Sequence, residues 1–167
     1  MNYLFTIGYE GSSLEDFIAT LKALNIETLV DVREIALSRR KGFSKTALKN
    51  ALECAGIKYQ HEKSLGSPKE IRNRLKEDKD YTRYFLEFNA YLKSQDELLK
   101  KLINTHSENI VLMCYERDPK TCHRSAVADR MGALSGIRPI PLGVQKNVAR
   151  KAYQGKIMDF SQSLPAT

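Results

Sequence analysis

Cys114, Glu116, Asp118, Cys122, His123 and Arg124 fall within a single short stretch, CYERDPKTCHRS. Between them these side chains offer a nucleophile, proton donors and acceptors near neutral pH, and a fork-shaped cation for an oxyanion. The apolar run NIVLM precedes the stretch and reads as a strand buried on both faces. Val127, Met131 and Leu134 follow it at the spacing of one helix face. A strand end, a loop and a helix start are thus compressed together. Ligands of open α/β sheets collect outside the carboxyl ends of strands, and helix N-termini present free N–H groups to anions.

Within this loop Glu116, Cys122 and His123 are the candidate catalytic residues. Cys122 lies near a helix start beside His123 and Arg124, a setting that lowers a thiol pKa. Cys114 is the lesser candidate nucleophile. A strand-end cysteine followed by five residues and an arginine would suggest a phosphatase, but Lys120 occupies the arginine's place. Arg124 and Ser125 are candidate anion ligands at the helix start; alternatively Arg124 bridges to Glu116 or Asp31 and holds the loop in shape. Asp31 and Arg33, two apart on one side of a strand, either join the same cleft or form a structural ion pair. His61 can face the cleft from a third strand, and His106 falls in a surface turn. No metal is expected, because no pair among Cys114, Cys122, His123 and His61 has standard ligand spacing, and neighbours such as Cys122 and His123 rarely share an ion. No cofactor is expected either.

The elements that must position these groups are readable along the chain. YLFTI (3–7) is a first strand. Ser12 with Glu15 makes a capping-box pattern before a helix bearing Leu14, Phe17, Ile18, Leu21 and Leu24. TLVDVR (28–33) is a second strand. Ser44 caps a helix with Leu48, Leu52 and Gly56 as its C′ residue, and IKYQH (57–61) is a third strand. Residues 64–80 read as a surface excursion with one irregular helix. A long helical region over 81–103 is broken near Ser94-Gln95-Asp96, with Ser94 or Asp96 as the second cap. A strand over 109–114 and a helix from about 121 complete the pattern. Pro139 and Pro141 restrict any later strand to an edge. Strands alternating with helices predict one α/β domain over 1–167, a mainly parallel sheet of about 4–5 strands with helices on both faces.

Composition narrows the partners. Of 27 Lys and Arg residues, eleven lie between residues 33 and 74 against only four acids there, so this segment carries the whole net charge of +7. Such a concentration suits a phosphate-bearing partner. Arg39, Arg40, Lys41 and Lys45 form the candidate nucleic-acid face, with Tyr59 or Phe43 as stacking groups. No apolar stretch approaches the roughly 20 residues needed to span a bilayer, and the N-terminus lacks a signal-peptide pattern. An odd number of cysteines, three, without a secretory signal points to reduced thiols and a cytoplasmic location.

TIG at 6–8, LVDVR at 29–33, SRR and FSK within 38–45, AGIKY and LG within 55–66, and above all MCYERDPKTCHRS resemble the family catalogued as domain of unknown function 488. Members typically carry histidine and serine after the first glycine, where this chain has Tyr9 and Glu10. They often carry a second glycine where this chain has Ser67. The resemblance implies a three-layer Rossmann-like domain and a site at Asp31, Arg33, Glu116, Cys122, His123 and Arg124, without an activity. Three functions remain open. The first is binding of, and chemistry on, a phosphate-bearing, nucleotide-like small molecule at the 114–125 loop. The second is a nucleic-acid-binding or DNA-repair accessory module using the 33–74 face. The third is a nucleotide sensor without chemistry.

Overall fold

The computed structural model describes residues 1–147; the expectation of one domain reaching residue 167 extends beyond them. Five strands, β1 (Leu4–Gly8), β2 (Thr28–Asp31), β3 (Lys58–His61), β4 (Ile110–Cys114) and β5 (Ile140–Leu142), form one fully parallel sheet in the order β3-β2-β4-β1-β5. Six helices cover it: α1 (Leu14–Ala23), α2 (Lys45–Cys54), α3 (Lys69–Asp78), α4 (Tyr81–Lys93), α5 (Asp96–Thr105) and α6 (His123–Ser135). The result is the three-layer, Rossmann-like arrangement anticipated from strand and helix alternation. Among the described residues no helix is long and apolar enough to cross a membrane.

Side-chain alternation along the strands builds two separate cores. Phe5, Ile7, Leu29, Val111 and Met113 face α1 and α2, packing on Phe17, Leu21, Leu48 and Leu52. Leu4, Val30, Ile110, Leu112 and Cys114 face the other way, against Phe88 and Leu92 of α4, Leu99 and Leu102 of α5, and Val127 and Met131 of α6. All of β1, β2 and β4 is buried, which is why these strands read as continuous apolar runs rather than alternating ones. β4 occupies the middle, between β2 and β1. The connection leaving β2 runs outward towards β3, whereas that leaving β4 runs the opposite way past β1 towards β5. The crevice between the carboxyl ends of β2 and β4 is therefore the topological switch point of the sheet.

Local differences from the sequence expectations have simple causes. α1 is capped by Ser13, whose oxygen accepts from the Asp16 N–H, and not by Ser12; both serines have an acid three residues on, so the pattern is ambiguous by one residue. Gln95 and not Ser94 or Asp96 stands at the N-cap of α5. Residues 64–80 are more regular than expected: a 3-10 turn over Lys63–Leu65 and then the ten-residue α3. Arg74 with Glu87, and Arg83 with Asp78, tie α3 to α4, so charges that look like solvated surface are also a seam. Pro141 lies in β5, an edge strand, as its missing N–H requires.

Candidate functional site

A cleft of about 550 Å³ opens at the switch point. Its walls are the segment after β2 (Arg33 to Arg39), the segment after β4 (Tyr115, Glu116, Thr121), and α3 with the start of α4 on the far side. Two glycines let these segments meet. A Cβ on Gly8 would stand 1.8 Å from the Glu116 carbonyl oxygen, so the 115–117 turn can cross β1 only above a glycine. A Cβ on Gly66 would stand 2.2 Å from the Glu34 backbone nitrogen, and the close approach there brings Ser67 to the cleft wall.

The floor carries the reactive groups. Cys114, the last residue of β4, points with Leu112 towards α6 and meets His123, the first residue of that helix. Cys114 Sγ lies 3.6 Å from His123 Nδ1 and 3.3 Å from Glu116 Oε2. His123 Nε2 lies 2.7 Å from the Val32 carbonyl oxygen, which can only accept. Nε2 therefore donates, and in the neutral ring Nδ1 presents its lone pair to the thiol. Phe88 packs edge-on against the imidazole at 5.5 Å and fixes its plane. Cys122 lies beneath this group and does not line the cleft. Burial, and then the neighbouring Cys114, push the Cys122 thiol well above the ordinary thiol range. The thiol facing the cleft is Cys114, the one ranked lower from sequence.

The expected anion ligands are largely committed elsewhere. Arg124 is completely buried, and its two terminal nitrogens donate to the carbonyls of Glu116 and Arg117. It shapes the loop, the bridging alternative, although through the backbone and not through a carboxylate. Ser125 donates to the Cys122 carbonyl and lies outside the cleft. Asp31 and Arg33 form a bidentate ion pair, Nε to Oδ1 at 2.8 Å and Nη2 to Oδ2 at 2.6 Å. Tyr59 donates to Asp31, while Arg33 reaches the Tyr9 hydroxyl and the Phe43 carbonyl. Burial opposes the Arg33 charge, but Asp31 and Tyr9 outweigh that and hold its pKa above the usual range. Arg33 touches the cleft edge from within this network.

Other groups take their place. Arg39, Arg72 and Lys76 line the cleft, and only Arg72 has a salt-bridge partner among the described residues, Glu34. Four exposed apolar or aromatic side chains also line it: Ile35, Leu37, Tyr81 and Tyr115. The Ser67 hydroxyl is buried at its wall with no hydrogen-bond partner among the described residues. Of these, only Arg39 was singled out in sequence. The signal for Arg72 and Lys76 was a basic helix, one turn and more apart on the same face, hidden within a segment that reads as surface excursion.

The remaining candidates scatter. Arg40 donates to the Ser12 carbonyl, and Lys41 and Lys45 are exposed. Phe43 is fully buried, stacked on Tyr9 at 4.3 Å, so it cannot take a base. His61 bonds the Arg33 carbonyl and does not line the cleft. His106 is buried, not in a surface turn, because Glu108 and Gln60 draw it against the sheet.

The family model described as Domain of unknown function DUF488 matches residues 13–131, well over half the chain. The chain belongs to that family. The match spans α1 through most of α6, and so includes both walls and the floor of the cleft. It begins after Gly8 and Tyr9, leaving the first turn, where this chain departs from the DUF488 pattern, outside the matched region. No curated protein and no solved structure matches significantly.

Proposed function

We propose that this DUF488 chain binds a phosphate-bearing, nucleotide-like small molecule in the switch-point cleft, with the reacting group turned towards Cys114, Glu116 and His123. The observation that carries this reading is the composition of the mouth. Cations without carboxylate partners among the described residues, Arg39 and Lys76, stand beside Ile35, Leu37, Tyr81 and Tyr115. Exposed apolar groups gathered at a concave site mark ligand contact, and aromatic rings with flanking cations suit a planar base carrying an anion. A volume near 550 Å³ lies within the range of small-molecule sites. The Ser67 hydroxyl offers a further hydrogen bond to such a ligand.

Thermal-shift titrations of wild type, Arg39→Ala and Lys76→Ala against mononucleotides, sugar phosphates and inorganic phosphate test this. At 100 times its dissociation constant a ligand adds about 2.7 kcal/mol of stability. Each variant should bind about tenfold more weakly, the worth of one charge-assisted hydrogen bond. If no phosphate compound shifts the wild type, or the variants respond like wild type, the reading fails. The nucleic-acid reading has one structural support: Arg39, Arg40, Lys41 and Lys45 are all exposed, and Arg39 lines the cleft. It predicts instead that only oligonucleotides act, with a steep loss on adding salt.

A further inference from the structure

We propose that Cys114, Cys122 and His123 form a binding site for a soft divalent transition-metal ion of the zinc class, with its fourth coordination position open to the cleft. The two sulfurs and an imidazole nitrogen all lie within 4.8 Å of one another. A tetrahedral ion with metal–sulfur bonds of about 2.3 Å and a metal–nitrogen bond of about 2.0–2.1 Å places its sulfur and nitrogen ligands about 3.6 Å apart. Cys114 Sγ and His123 Nδ1 are 3.6 Å apart. Thiolate and imidazole donors together select zinc-like ions over magnesium or calcium.

The surroundings fit the same purpose. The bond from His123 Nε2 to the Val32 carbonyl orients Nδ1 towards the sulfurs, as outer partners of metal-bound imidazoles do. Neighbouring residues converge because the backbone changes conformation between them. Cys122 is the extended N-cap residue (φ −119°, ψ 134°), and His123 opens the helix. This break in conformation removes the spacing objection that applies to two adjacent ligands on one regular element. Cys114 and His123 line the cleft while Cys122 lies below, so the vacant corner of the tetrahedron faces the cleft. Three protein ligands and one open corner are the arrangement of a catalytic ion and not of a structural one. Glu116, whose Oε2 stands 3.3 Å from Cys114 Sγ, is placed to take a proton from a water bound there. Binding releases the two thiol protons to solvent, and the ion gains two thiolates and one neutral nitrogen.

Coordination rests on the floor geometry alone; only its catalytic use rests on the cleft being a ligand site. Cobalt(II) titration of the reduced full chain tests it. One ion per chain should bind, giving thiolate-to-cobalt charge transfer and the visible bands of tetrahedral cobalt. Zinc should displace it and should shield Cys114, which lines the cleft, from a thiol reagent, leaving exposed Cys54 reactive. Cys122→Ser and His123→Ala should each weaken binding at least about tenfold, while Cys54→Ser should not. Absence of charge transfer, unchanged cobalt binding in Cys122→Ser, or shielding of Cys54 in place of Cys114 would overturn the proposal. So would a Cys114–Cys122 disulfide forming with no metal uptake by the reduced chain. Should a variant fail to fold, the cobalt spectrum of wild type, its competition by zinc, and the Cys54→Ser control decide alone. Cobalt binding without any nucleotide binding would refute the cleft reading and leave the ion in place; the converse result would do the opposite.

Discussion

His106 and His123 sit at opposite ends of the same sheet, and their surroundings differ in kind. Near the amino ends of β2 and β4, both His106 nitrogens face oxygen acceptors, Glu108 Oε1 at 2.9 Å and Gln60 Oε1 at 3.1 Å. Thr28 donates to the same Glu108 oxygen. Every member of that cluster has a partner within the protein, so it can stabilise but has nothing to offer a ligand. At the carboxyl end, His123 uses one nitrogen on a carbonyl and turns the other to a thiol at 3.6 Å, beside a second thiol and a carboxylate. Equivalent residue types are thus closed in one place and available in the other. What separates scaffold from site is unused bonding capacity, not residue identity.

The strongest challenge to this contrast is Gly8→Ala. A methyl group 1.8 Å from the Glu116 carbonyl oxygen forces the 115–117 turn off β1, and denaturant unfolding should show a loss above about 3 kcal/mol. A variant as stable as wild type would mean the turn is not held there. Next is Arg124→Met, which keeps most of the volume but strands two loop carbonyls; about 2–4 kcal/mol should be lost. Arg124→Lys should recover little, since one point charge cannot serve both carbonyls in the guanidinium's geometry.

Glu108→Gln probes the closed end and should cost about 1 kcal/mol at neutral pH, a partly solvated pair being screened. The hydrogen bond from His106 holds the Glu108 carboxyl down to about 2 from its ordinary 4.5. A depressed carboxylate stabilises the fold above its unfolded pKa and ceases to do so as pH falls through the folded value. The stability difference between wild type and Glu108→Gln should therefore be constant at neutral pH, shrink below about 4.5 and vanish near 2. A gap that persists in acid would show that packing, not charge, makes this cluster. Ligand binding should be untouched by the change. The smallest stability effect is expected of Lys76→Ala, within about 0.5 kcal/mol, although its ligand affinity should fall about tenfold. The closed and open ends would then show opposite sensitivities.

Much of the fold was legible because buried parallel strands and one-sided helices leave periodic signals: β4, α1, α2 and the break between α4 and α5 all stand close to where apolar spacing puts them. The loop after β4 was legible as a strand end for the same reason, following the most apolar strand, and it lines the cleft. Side-chain commitment was not legible. Whether Arg124 meets a ligand or two carbonyls depends on where a loop eight residues earlier in sequence returns, which no spacing rule encodes. Cys122 looked more reactive than Cys114 because a helix start lowers thiol pKa, yet burial runs the other way and prevails at Cys122. Arg72 and Lys76 were invisible as site residues because the packing of α3 across the cleft is a long-range fact.

The central place of β4 also bears on how the chain is made. β1 and β2 share no ladder; each waits for β4, whose residues 110–114 leave the ribosome after two thirds of the chain. At about 5–20 residues per second, the first strands spend several seconds with open edges and unpartnered apolar faces. Only β2 and β3 can pair early. The centre of the sheet must therefore close late, and Cys114 of the cleft floor arrives with the strand that joins β1 to β2. A nascent chain arrested before residue 110 is an aggregation hazard, whereas one extended past residue 123 already holds Cys114, Glu116 and His123 of the cleft floor.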